Sequence, residues 1–265
     1  MSEARFVGVT GAASGIGREL ALQFCAQGLP VVGLDIDQAG LGSLEKECGG
    51  RFRGVGCDLA DKVALKERLE QLRVERGVPS IWINNAGIAH IKGMTEITEA
   101  ELEQTMQINF FALVTCVRFW LEHMVPTGSG SIVNIGSIAG HISSPGLSAY
   151  VASKFAVTGF TESLQTELDL NKSPVKLLLV SPGFVETKIM RVGEQNGFPK
   201  EFLFLATKVG DCARRIIEGI AAGEREIFPT ANGKAMMAMQ RLSPKLARGF
   251  SKLTVGKKVD LGKKT

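Results

Sequence analysis

The chain contains one tyrosine, Tyr150, and a lysine, Lys154, follows it four positions later in SAYVASKFA. Side chains four apart lie on one face of a helix, so a phenol and an ammonium can enter the same cleft. A free phenol titrates near roughly 10, too high for ready proton loss at neutral pH. A nearby ammonium favours the phenolate and is expected to lower that value toward the range where an acid/base catalyst works. Tyr150 is therefore the candidate proton carrier. Taken alone, the pair also fits a phenol capping an apolar helix face beside a solvated lysine, and the surrounding motifs have to decide.

The first of these motifs is VTGAASGIGREL, with glycines at 11, 15 and 17 between an apolar run and an amphipathic stretch. Such a turn lets backbone approach a pyrophosphate closely, with the first amides of the following helix facing the anion. Gly11, Ser14, Gly15, Ile16 and Gly17 are the candidate phosphate-binding positions, although many α/β proteins use a glycine turn as a plain connection. Asp35 ends the next apolar run, where a carboxylate accepts hydrogen bonds from an adenosine ribose and repels a 2′-phosphate. Ile36 supplies no compensating charge, so NAD(H) is favoured and NADP(H) stays open, with Arg18 as the residue that keeps it so.

The ordered set TGAASGIG (10 to 17), NNAG (84 to 87), Asn109 in QINFFALV, Ser137 in IVNIGSIAG, YVASK (150 to 154) and PGFVET (182 to 187) resembles the short-chain dehydrogenase/reductase family from about Arg5 to Pro229. The resemblance implies a hydride-transferring oxidoreductase in which Ser137 holds the reacting oxygen and Tyr150 carries the proton. It further implies that Lys154 binds the nicotinamide ribose, and that Asn109 kinks its helix and binds a water leading to Lys154. By the same resemblance Asp58 and Leu59 contact the adenine, and Asn85, Ala86 and Gly87 let the backbone pass beside it. Pro182, Gly183, Val185 and Thr187 form a turn on the cofactor. The NNAG and Asp58 positions also suit polar caps of a sheet. No metal site is expected.

Positioning these residues requires a parallel sheet. Short β-branched runs alternate with longer amphipathic stretches, the pattern of βαβ units. Strands are expected at 4 to 10, 29 to 35, 51 to 58, 80 to 86, 130 to 137, 175 to 181 and 225 to 229, and helices near 15 to 28, 38 to 48, 61 to 76, 99 to 124, 149 to 171 and 208 to 222. The expected fold is α/β: a Rossmann-type, doubly wound parallel sheet of about seven strands with helices on both faces. It forms a single domain over residues 1–233, with a basic, amphipathic extension over 234–265. The resemblance implies a substrate lid over 187–208, and Phe184 and Val185 just before it, with Ile189, Met190, Phe202 and Phe204 within it, suggest a hydrophobic alcohol or ketone. His90 and His141 are candidate pocket residues or polar loop residues.

Five scattered cysteines with no CxxC pair read as buried small hydrophobes. The net charge is +4, but Lys234 to Thr265 carries nine basic residues and one acid. That tail is expected either to be solvated or to touch anionic lipid. Nucleic-acid binding is not expected, because the cations lack interleaved aromatics apart from Phe250. Without a leader or a spanning run, the expected location is cytoplasmic, with membrane association through the tail left open. The resemblance implies that the helices near 99 to 124 and 149 to 171 form a dimer face; the first is apolar nearly all round, which fits burial against a partner or within one subunit, and a homo-oligomer, a dimer in first place, is expected. The function expected is NAD(H)-dependent interconversion of a hydrophobic secondary alcohol and a ketone. The alternatives are an NADP-dependent 3-oxoacyl or carbonyl reductase, a non-catalytic NAD-binding regulator and a peripheral membrane scaffold.

Overall fold

The computed structural model describes residues 6–190 and 205–253. Seven parallel strands form one sheet, β1 (Val7–Thr10), β2 (Val31–Asp35), β3 (Phe52–Gly56), β4 (Ile81–Asn84), β5 (Gly130–Ile135), β6 (Val175–Val180) and β7 (Glu226–Ile227), in the spatial order β3-β2-β1-β4-β5-β6-β7. The order reverses between β1 and β4, and a parallel sheet places its ligand crevice beyond the carboxyl ends of the strands at such a point. β1, VGVT, is buried at every position, as a strand covered on both faces must be.

Helices α1 (Gly15–Ala26), α2 (Gln38–Cys48) and α7 (Val209–Ala222) cover one face, where Leu20, Phe24, Leu44, Cys212 and Ile216 join the buried core. Helices α3 (Lys62–Arg76), α5 (Ala112–Met124) and α6 (Ser148–Leu170) cover the other over Leu69, Trp82, Trp120 and Val157. Local chemistry sets the helix ends. Asp37 and Asp61 accept from first-turn amides of α2 and α3, and left-handed Gly49 and Gly223 end α2 and α7. Thr98 and Glu101 form a reciprocal capping box at the start of α4 (Glu99–Met106).

Three points about the sequence expectations matter for the site. The helix expected over 99 to 124 is interrupted by a π-turn at Gln107–Phe111, between α4 and α5; such turns insert a residue into the helical ladder and re-aim a side chain. The expected extension does not begin at 234. Helix α8 (Ala231–Leu242) crosses that boundary, α9 (Pro244–Leu253) follows, and both pack onto the sheet domain through Ile138, Ile142 and Ala247. Finally, most of the expected lid, including Phe202 and Phe204, lies outside the described residues. Its two ends are tied together, with the Glu186 amide donating to the Thr207 carbonyl at 3.1 Å and the Thr207 amide to the Phe184 carbonyl at 2.9 Å. No helix among the described residues is long and apolar enough to cross a membrane.

Candidate active site

A cavity of about 680 Å³ opens at the carboxyl ends of the strands. At one end lies the glycine turn. Gly11 and Gly15 hold positive φ, 68° and 56°, which a side chain resists. Ser14, the residue before α1, makes no side-chain cap bond, so the first amides of α1 are left to face a ligand anion. Gly11, Ser14, Gly15 and Ile16 line the cavity. Gly17 does not: it lies behind the turn, and a Cβ there would collide with the Gly11 carbonyl and the Asn85 amide. Its work is close packing of helix against turn.

Asp35 ends β2 beside this turn and faces the cavity with Ile36, Asp58 and Leu59. One Asp35 carboxylate oxygen accepts from the Ala13 amide at 2.9 Å, the other from the Asp37 amide at 3.0 Å. The carboxylate therefore also shapes the turn, and each oxygen keeps acceptor capacity for a ribose hydroxyl. Arg18 pairs with Glu47. Its charge is matched on the protein.

Asn85, Ala86 and Gly87 line the cavity after β4. The Asn85 side chain donates to the Thr10 and Gly11 carbonyls, both at 3.0 Å, and Thr10 Oγ1 accepts from the Asn85 and Ala86 amides. Its contribution is thus to tie the glycine turn to the adjacent strand end. Asn84 points the other way, into a buried chain in which Trp82 Nε1 donates to Asn84, Asn84 to Asn134 and Asn134 to Thr161. This satisfied polar network links β4, β5 and α6 within the core.

At the far end stand the residues of proton chemistry. Ser137, two residues beyond β5, begins a single 3-10 turn (Ile138–Gly140), and its Oγ accepts from the Ala139 amide at 3.1 Å. Tyr150 projects from the first turn of α6 into the cavity that Ser137 also lines. Lys154, 4% exposed, donates to the Ile135 carbonyl at 2.8 Å, with Nζ 5.7 Å from the centre of the Tyr150 ring. Ser137, Tyr150 and Lys154 all line the cavity. The expected lowering of the phenol is corrected here. Burial pushes Tyr150 up, with Ser137 acting in the opposite direction, and burial also pushes Lys154 down to about 8. Desolvation disfavours both charged forms.

Asn109 sits one layer behind the cavity, in the π-turn. Its amide accepts from the Ile88 amide at 2.8 Å and donates to the Ile88 carbonyl and to Ser153 Oγ, both at 2.9 Å. Ser153 in turn donates to the Tyr150 carbonyl at 2.7 Å. Both N–H donors of Asn109 are thus used in a brace from the loop after β4 to the helix carrying Tyr150. Sequence reading passed over Ser153, whose only signal was its place just before Lys154.

Pro182, Gly183, Val185 and Thr187 line the cavity after β6. Their turn is held from α8: the Gly183 amide donates to Thr230 Oγ1 at 3.0 Å and the Phe184 amide to Asn232 Oδ1 at 2.9 Å. The substrate end of the cavity is walled by Ile88, Ile138, Ile142, Leu147, Phe184 and Met190, and also by Met236 and Ser251 of α8 and α9. The amphipathic pattern of the basic tail left open that it gathers a hydrophobic substrate, and its place on this cavity is set by tertiary packing. His90 and His141 do not line it. His90 lies 3.6 Å from Glu101, and His141 is buried with Nε2 3.0 Å from Ser181 Oγ.

The model of the short chain dehydrogenase family matches residues 5–196. SadH of Mycobacterium tuberculosis (strain ATCC 25618 / H37Rv) is 31% identical over 251 residues, which cover 91% of each chain. Human estradiol 17-beta-dehydrogenase 11 is 28% identical over 95% of this chain and 83% of its own. A crystal structure of a short chain dehydrogenase/reductase from Burkholderia phymatum in complex with NAD superposes with a TM-score of 0.81 at 24% identity, covering 94% of this chain and 97% of that one.

Proposed function

Because this chain belongs to the short-chain dehydrogenase/reductase family, we propose that it is an NAD(H)-dependent oxidoreductase interconverting a hydrophobic secondary alcohol and a ketone. The observation that carries the reading is that Ser137, Tyr150 and buried Lys154 line the same cavity as the glycine turn. The residues present fit a dinucleotide: positive-φ glycines, uncapped first amides of α1 and a carboxylate at the end of β2 form a cradle for a pyrophosphate and a ribose.

Bound nicotinamide supplies or accepts the hydride. The chain supplies the rest. Ser137 donates to the reacting oxygen and sets it beside the Tyr150 hydroxyl. In ketone reduction Tyr150 gives its proton as negative charge develops on that oxygen; in alcohol oxidation the phenolate takes the proton back. Lys154, fixed by the Ile135 carbonyl, places positive charge behind the phenol. The apolar walls exclude water and favour a bulky apolar substrate, with Ser143 and Ser144 as polar contacts. The name of the human relative, an estradiol dehydrogenase, supports a steroid-like or similarly hydrophobic alcohol.

The choice of NAD over NADP rests on Asp35, with Arg18 matched by Glu47. That arrangement argues against an NADP-dependent reductase. The location in this reading is cytoplasmic. The functional unit is a homodimer, built where α4, the π-turn and α6 pack together and leave Phe111 and Phe155 about half exposed.

Turnover of a panel of steroidal, long-chain and small polar alcohols with NAD and with NADP tests the proposal, together with Tyr150→Phe. The expected result is NAD reduction with the apolar alcohols and a loss of about 10²-fold or more in the variant, with NADH binding retained. Near-native turnover by the variant, or activity confined to small polyols, overturns it.

A further inference from the structure

Helices α8 and α9 have two unlike sides. Inward, Met236 and Ser251 reach the cavity, and Ala247, 2% exposed, packs on Ile138 and Ile142. Outward on α9 stand Lys245, Leu246, Arg248 and Lys252, all exposed, which is the alternation a helix gives when Ala247 and Ser251 face in. Leu242, at the end of α8, is 88% exposed, more than any other large hydrophobic side chain among the described residues, and Leu246 is 66% exposed. From Ile227 to Val259 the chain has no Asp or Glu. Among the described residues no carboxylate pairs with Lys245, Arg248 or Lys252, whereas Arg18, Arg53, Arg73, Arg214 and Arg225 elsewhere on the surface each have one.

We propose that the outer face of α8 and α9 docks on an anionic phospholipid bilayer, setting the substrate end of the cavity against the membrane. Two protruding leucines flanked by unpaired cations match a surface that is apolar below and negatively charged at its headgroups. A nucleic acid would use the cations but leave Leu242 and Leu246 without a partner. A protein groove would accept the leucines yet would need its own acids placed opposite Lys245, Arg248 and Lys252, so charge complementarity favours the bilayer. The inner side of the same helices walls the cavity that Tyr150 also lines, so docking sets a lipid-dissolved alcohol beside the wall of that cavity. That consequence, unlike docking itself, rests on the hydrophobic-substrate reading given above.

The test is co-sedimentation of the full chain with phosphatidylcholine vesicles and with vesicles containing phosphatidylglycerol, at low and high salt. We expect binding to the anionic vesicles only, weakened by salt. Each cation near a charged surface contributes about fivefold, so K245E/R248E/K252E should lose on the order of 100-fold in partitioning. L242S/L246S should lose about tenfold, and both variants should melt with the wild type. Equal partitioning into neutral and anionic vesicles, no sedimentation, indifference to charge reversal, or retention on duplex nucleic acid in place of vesicles overturns the proposal. Turnover separates the two ideas: L242S/L246S should be slow on an alcohol carried in anionic vesicles and normal on the same alcohol in detergent. Sedimentation as expected with no such difference keeps docking and removes delivery.

Discussion

Burial pushes the phenol of Tyr150 up and the ammonium of Lys154 down to about 8, which sets a direction for the pH dependence. A raised phenol keeps its proton through neutral pH, so the donor needed for ketone reduction is already present and is lost only as pH climbs through the folded value. Oxidation needs the phenolate and gains along the same climb. The kcat/KM for alcohol oxidation should therefore rise from pH 7, less steeply above about 8 where Lys154 loses the charge behind the phenol, while that for ketone reduction stays level and then falls. Matched pH profiles in both directions check this, and an oxidation profile flat from neutral to alkaline pH contradicts it. Asp35 carries a second residue-scale prediction. Replacing it with serine removes charged hydrogen bonds worth about 1.5–3 kcal/mol, so NAD affinity should drop roughly 10- to 100-fold and the preference over NADP should shrink, as titration of both dinucleotides would record. These residues were legible in the sequence because side-chain chemistry and spacing identify them. The direction of the Tyr150 shift was not, since it depends on how much surrounding protein displaces water.

The element that most affects the site is the π-turn at Gln107–Phe111. An apolar stretch over 99 to 124 reads as one helix, and its periodicity gives no hint of an inserted residue, because the interruption satisfies a tertiary need. The turn aims Asn109 at the Ile88 backbone and at Ser153. Asn109→Ala leaves the part-buried Ile88 amide and carbonyl without these partners, at up to about 1–3 kcal/mol for each group that water does not reach. The variant should melt earlier and lose kcat more than it raises the KM for NAD, because the brace reaches the helix that carries Tyr150. Thermal melts and steady-state kinetics together would show it. A melt shift with unchanged kcat would restrict Asn109 to a structural role.

At the scale of the whole molecule, the sheet order turns seven short strands into one crevice, and residues from 11 to 251 meet there. The C-terminal helices belong to this assembly: Thr230 and Asn232 hold the Gly183 turn, and Met236 closes the cavity. Removing residues 234 to 265 would therefore strip the wall of the site along with the basic charge, so the membrane question needs point variants. Phe111 and Phe155, each close to half exposed where neighbouring helices pack together, carry the dimer proposal. F111E/F155E should convert a dimeric mass to a monomeric one by light scattering, and a wild-type chain that is already monomeric would remove the interface.

Sequence alone pointed to the alternation of seven strands with helices, to the glycine turn and to Asp35, and its resemblance to a family pointed to Ser137, Tyr150 and Lys154. These depend on local periodicity, on backbone conformations only certain residues adopt, and on chemistry that few side chains possess. The tertiary structure decided which of those residues face the cavity and which stand behind it, as Gly17 and Asn109 do. It also decided that burial raises the phenol, and that a basic tail forms part of the cavity wall. Such outcomes depend on contacts between segments far apart along the chain, and spacing within one stretch carries no record of what another will press against it.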